Sequence, residues 1–157
     1  QGYEVIVPKF PTPLDQSLES WFRVFSQYED KINEETVLIG HSLGAAFVLN
    51  YLEKTNKKIK AAIFAAGFHK LLDSQYDEIN KSFVDRQFNW EKIKQSCGKF
   101  FVFASDNDPY IPLEIGQELA KNLNAEMNVV SDGGHLNKET GYDDFPLLLE
   151  TIIIEVE

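Results

Sequence analysis

The chain has 157 residues, 43% of them hydrophobic and 25% charged, values that suit a single domain with a sizeable core. Its 15 Lys and Arg face 25 Asp and Glu, a net charge of -10 that repels phosphate backbones and offers an anionic membrane no basic cluster. Nucleic acid and membrane are therefore excluded as expected partners, and no apolar run reaches the roughly 18 residues of a spanning helix. Cys97 is the only cysteine. It is expected as a small buried hydrophobe just before a strand, and its isolation suits a reducing, cytoplasmic setting.

Tyr3 to Pro8 has the composition of a strand closed by proline. After a loop with Pro11 and Pro13, the residues Leu14, Leu18, Trp21, Phe22, Phe25, Tyr28 and Ile32 recur at helical spacing, with Thr12, Asp15 or Ser17 as the cap. Thr36 to Gly40 is a short β-branched run, expected as a buried strand. Gly44 to Leu52 is apolar nearly all round, as a central helix against a sheet would be. Ile59 to Ala66 and Lys99 to Ala104 predict two more buried strands. Leu113 to Leu123 predicts an amphipathic helix with Pro112 in its first turn. Glu126 to Val130 predicts the last strand. A final helix from Phe145 to Ile153 is expected, capped by Asp144 with Pro146 in its first turn. Strands alternating with helices imply a mostly parallel sheet covered on both faces. Residues 68–96 interrupt the alternation. This polar stretch carries Phe68, Tyr76, Phe83, Phe88 and Trp90, and is expected as a small cap over the carboxyl edge of the sheet.

Gly40-His41-Ser42-Leu43-Gly44 is a G-x-S-x-G motif with a strand entering and a helix leaving. Such a turn strains the serine backbone, and glycine is expected to be required at both 40 and 44. The Leu43 N–H can then face a developing oxyanion. Serine needs a base to take its proton. Of three histidines, His41 is adjacent to Ser42 and its side chain is expected to diverge in a structural role. His69 lies in the excursion, either bordering a pocket or solvated. His135 follows Ser131-Asp132-Gly133-Gly134, a flexible loop after the last strand, and is the expected base. The orienting acid should lie after the preceding strand, where Asp106 and Asp108 are the candidates. Asp108 is favoured because Pro-Tyr-Ile-Pro follows it into a helix. Asp106, nearer the strand, suits a turn residue bonding its own backbone. The order Ser, acid, His is that of α/β-hydrolases.

Gly40-His41-Ser42-Leu43-Gly44-Ala45, Asn89-Trp90-Glu91-Lys92-Ile93-Lys94, Ser105 to Pro112 and Gly134-His135 resemble the small serine hydrolases related to retinoblastoma-binding protein nine. The resemblance runs along nearly the whole chain. It implies a three-layer α/β-hydrolase fold, a triad at Ser42, Asp108 and His135, and no metal or organic cofactor. Three departures stand out. The family's Asp-Asp-Pro is Asp106-Asn107-Asp108-Pro109 here. Leu136 follows His135 where an aromatic is common. The family's first strand and glycine-rich oxyanion loop are not found, so Gln1-Gly2-Tyr3 is expected to be the end of a helix–strand connection in an N-terminally incomplete domain. No Leu-x-Cys-x-Glu run occurs, and a pocket-protein partner is not expected.

The expected function is hydrolysis of a small ester, thioester or amide, carboxylesterase-like or amidase-like, through an acyl-enzyme. The alternative is a catalytically silent binding or scaffold protein. Phe68, His69, Phe83, Phe88, Trp90 and Tyr110 are the expected lining of a pocket for a small acyl substrate.

Overall fold

A computed structural model describes residues 2–156; Gln1, part of the expected helix–strand connection, and Glu157 lie outside them. The strands β1 (Val37–His41), β2 (Ile59–Ala65), β3 (Cys97–Ser105) and β4 (Glu126–Val130) form one parallel sheet in the order β1-β2-β3-β4. The helices are α1 (Leu18–Phe25), α2 (Leu43–Lys54), α3 (Asp77–Val84), α4 (Trp90–Gln95), α5 (Leu113–Leu123) and α6 (Pro146–Thr151). No helix among the described residues is long and apolar enough to cross a membrane.

Strand side chains alternate between faces, and here both faces are apolar. Ala62 and Phe64 of β2 and Phe100 and Val102 of β3 join a core with Trp21, Phe25, Leu49, Leu52, Leu119 and Leu123 from α1, α2 and α5. The alternate residues Ala61, Ile63, Ala65, Phe101 and Phe103 face a second core, with Leu136 and Val156 and with Leu148 of α6 and its flanking residues Phe145 and Ile152. Helices therefore cover both sides of the sheet in three layers.

In the first core, Phe47 of α2 is 3% exposed, and its ring lies 5.1 to 5.7 Å from those of Phe10, Trp21, Phe22 and Phe25. Truncating a buried aromatic leaves a cavity that its neighbours refill only in part. Phe47→Ala is expected to cost about 3–5 kcal/mol in urea unfolding. A loss well below that range would show that α1 collapses onto the gap.

Several expected elements differ. Tyr3 to Val7 joins no sheet, and Val5 and Val7 are 79% and 85% exposed. A strand is defined by its ladder, and among the described strands β1 pairs only with β2. The first helix begins at Leu18, not Leu14, because Ser17 is its cap: Ser17 and Ser20 exchange hydrogen bonds as a capping box. Leu14 is left 80% exposed, while Tyr28 falls in a 3₁₀ turn over Ser26–Lys31, with Ile32 buried just beyond. Phe145, not Asp144, holds the cap position of α6, and Pro146 takes the first turn as expected. Pro112 sits at the cap of α5, one residue before the first turn. Residues 68–96 fold partly over α2, with Phe83 against Trp21 and its carbonyl accepting from Asn50. Cys97 is the first residue of β3, buried, and burial pushes its thiol up to about 12, out of reach of neutral-pH nucleophilic chemistry.

Candidate active site

The serine elbow joins β1 to α2. Ser42 has φ 52° and ψ -119°, outside the small left-handed well open to ordinary residues. Such a conformation costs on the order of 1–3 kcal/mol and persists only where its surroundings over-determine it. Here the Ser42 N–H donates to the Ala65 carbonyl at 2.9 Å, and the Ser42 carbonyl accepts from Ala45 at 3.0 Å. Gly40 is required: a Cβ there would stand 2.6 Å from Ala45 N and from the Gly44 carbonyl. Gly44 is not required in the same way, since a Cβ there would meet nothing within 4 Å. The close approach in this turn falls on the strand side alone. Ser42 itself stands at the cap of α2, and the N–H of Leu43, at the first helical position, has no partner within the helix.

At the carboxyl end of the sheet, Asp108 after β3 and His135 after β4 meet. The Asp108 carboxylate approaches His135 Nδ1 with Oδ2 at 2.9 Å and Oδ1 at 3.1 Å. The Asp108 side chain is only 1% exposed and that of His135 12%. Oδ1 also accepts from the N–H groups of Tyr110 and Ile111, at 2.9 and 3.1 Å. Burial raises the Asp108 carboxyl, but the His135 bond and the two main-chain donors outweigh it and hold the group below the usual carboxylate range. Asp108 is thus an anion on one ring nitrogen of His135, which leaves Nε2 for another partner. Among the described residues no hydrogen bond joins the Ser42 hydroxyl to His135. Catalytic contacts of this kind often tighten only when substrate arrives.

The loop carrying His135 is held, not free. Asp106 accepts from the Asp132 N–H at 2.8 Å and from the Ser131 hydroxyl at 3.1 Å. Asn107 Oδ1 accepts from the Gly134 N–H at 2.7 Å. Asp106 therefore bonds the neighbouring loop, not its own turn. Gly134 has φ 57°, and a Cβ there would lie 2.5 Å from Thr140 Cγ2. Leu136 takes φ 48° with its side chain 4% exposed in the second core, directly after the histidine. His41 lies against His135: its Nε2 is 2.8 Å from the His135 carbonyl, and the two rings meet edge to face at 4.8 Å.

The sequence profile described as "Serine hydrolase" matches residues 9–152. The chain belongs to the serine hydrolase family. It is 30% identical over 134 residues to the serine hydrolase RBBP9 of Rattus norvegicus, covering 85% of this chain and 70% of that protein. It is 29% identical over 153 residues to YdeN of Bacillus subtilis strain 168, covering 96% and 80%. The crystal structure of the ydeN gene product superposes with a TM-score of 0.86 at 28% identity, over 92% of this chain and 78% of that one. A meta-cleavage product hydrolase from Pseudomonas fluorescens IP01 superposes with a TM-score of 0.69 at 12% identity, over 95% and 76%, a likeness of fold alone. The fold of this serine hydrolase is the α/β-hydrolase fold.

The expected pocket residues of this serine hydrolase divide sharply. Phe68, Phe83 and Phe88 are 3%, 0% and 8% exposed and belong to the first core. Trp90 is half-buried against Phe88 and His69. His69 is not solvated: it is buried, its Nε2 lies 3.2 Å from Glu118, and burial lowers its pKa against the partial support of that carboxylate. Tyr110 stands beside the candidate site, half-exposed, with its ring 5.0 Å from that of His135. Tyr76, outside the expected lining, is also exposed and meets Tyr110 at 6.2 Å. The contacts of His41, Asp106 and Asn107 were not anticipated from the residues. The one available signal was strand alternation, which puts His41 on the same face as Val37, toward the second core.

Proposed function

We propose that this serine hydrolase cleaves a small ester, thioester or amide with Ser42 as nucleophile, His135 as general base and Asp108 as the orienting acid. The observation that carries the reading is the buried Asp108 carboxylate on His135 Nδ1 at 2.9 Å, in a fold whose strand-to-helix elbow holds Ser42 at positive φ. With Nδ1 donating to Asp108, the imidazole presents an unprotonated Nε2, the tautomer a base requires. Ser42 Oγ attacks the substrate carbonyl carbon while its proton passes to Nε2. The carbonyl electrons move to oxygen, and the Leu43 N–H at the start of α2 faces the oxyanion. Collapse expels the alkoxide, thiolate or amine, which takes the proton from His135. Water, deprotonated by the same nitrogen, then attacks the acyl carbon; the bond to Ser42 Oγ breaks, the acid leaves, and His135 returns the proton to Oγ. Asp108 stabilises the imidazolium in both halves. Residues 68–96 act as a small cap, and Tyr110 contributes the apolar surface beside the base.

With p-nitrophenyl acetate, rapid mixing is expected to show a burst of about one p-nitrophenol per protein before steady release, because the acyl-enzyme forms faster than it hydrolyses. Release at the buffer rate, with no burst, would favour the catalytically silent binding protein instead.

A further inference from the structure

We propose that His41 is a positioning residue for His135, an inference that rests on the triad reading above. Its Nε2 lies 2.8 Å from the main-chain carbonyl oxygen of His135. A carbonyl oxygen only accepts, so His41 donates through a protonated Nε2. The two imidazoles also touch edge to face, with centroids 4.8 Å apart and planes inclined by 65°. Tyr110 makes a second edge contact with the same ring at 5.0 Å, and Asp108 holds its Nδ1. His41 is the group in this set that grips both the backbone and the ring of His135.

The need for such a grip follows from topology. Ser42 leaves β1 and His135 follows β4, and these are the two outer strands of the sheet as described. The sheet hydrogen bonds relate them only through β2 and β3. The bond from His41 spans 94 positions and ties the end of the strand that carries the nucleophile directly to the residue that carries the base. Asp106 and Asn107 hold the same loop further back, at Asp132 and Gly134, from the β3 side. Displacing a reacting group by about 1 Å can cost on the order of 10²-fold in rate. Removing His41 leaves the carbonyl of His135 without this donor and one edge of its ring without this neighbour. The His41 side chain is exposed, so its replacement opens no core cavity.

The test uses the full chain with His41→Ala, His41→Gln and His41→Phe, and Ser42→Ala as the blank. Glutamine places an amide donor near the position of the imidazole Nε2, whereas phenylalanine keeps a ring and has no donor. The readouts are the rate of labelling by a fluorophosphonate probe, and kcat and KM for p-nitrophenyl acetate. His41→Ala is expected to lower the labelling rate and kcat by about 10- to 100-fold with KM little changed. His41→Gln is expected to recover most of that loss and His41→Phe little of it. Labelling of His41→Ala at the unsubstituted rate would overturn the inference while leaving the triad standing. So would equal performance by the Gln and Phe variants, a comparison that holds even if the Ala variant folds poorly. Failure of the triad reading looks different: the unsubstituted protein itself would not be labelled at Ser42, and the inference would fall with it.

Discussion

Replacing Ser42 with alanine is expected to abolish labelling by a fluorophosphonate probe and to lower ester turnover by about 10⁶-fold, the loss that removal of the serine causes in another triad enzyme. The probe reacts only with an activated oxygen nucleophile, and activation here depends on several parts acting together. The elbow presents the hydroxyl at the carboxyl end of β1, and the Ser42 backbone is bonded on both sides, to Ala65 and Ala45. In the proposed triad His135, with Asp108 behind it, is the base of the required tautomer. Alanine removes the attacking oxygen and little else. At this φ a Cβ is already tolerated, so the variant is expected to fold with an unchanged thermal midpoint. Labelling that persists in Ser42→Ala at its original rate would sink the assignment of the nucleophile.

Asp108→Asn is expected to lower kcat by about 10⁴-fold, the effect of the same change in a well-studied triad, while Asp106→Asn costs far less. An asparagine at 108 can offer its amide N–H to His135 Nδ1, which then accepts, and the ring proton moves to Nε2. The base is thereby turned into a donor facing the serine. The carboxylate is also lost from a nearly closed position, so the imidazolium formed during reaction goes uncompensated. Asp106 is exposed and acts at a distance, through the Asp132 N–H and the Ser131 hydroxyl. Its replacement loosens the loop and leaves the tautomer intact. Larger damage from Asp106→Asn, in a protein that stays folded by circular dichroism, would show that the wrong aspartate has been assigned.

Much of this arrangement was legible in the residues, for a reason that can be stated locally. Runs such as Val37-Leu38-Ile39 and Lys99 to Ala104, each followed by a helical period, specify strand and helix within a few residues of chain. The turn at Ser42 is equally local: Gly40 is required by atoms only four and five residues away. The pairing of Asp108 with His135 follows from where loops must emerge in a parallel sheet, at the carboxyl ends of consecutive strands.

What the chain's own order could not settle was burial, strand pairing and hydrogen-bond direction where these depend on a distant partner. Tyr3 to Val7 has strand composition, yet it joins no ladder, because pairing is a relation between segments and not a property of one. Phe68, Phe83, Phe88 and Tyr110 are alike as aromatics; only the fold of residues 68–96 over α2 buries the first three and leaves the last beside His135. Asp106 and Asp108 differ by two positions in one loop, and the direction each carboxylate takes, toward the Asp132 main chain or toward the imidazole, is decided by the strand packed next to it. His41 is the plainest case. Its place before Ser42 says nothing about a partner 94 positions away, and its hydrogen bond exists only because the fold brings the end of β1 and the loop after β4 together at the carboxyl end of the sheet. Backbone periodicity is set by neighbours in sequence, whereas hydrogen-bond direction and burial are set by neighbours in space.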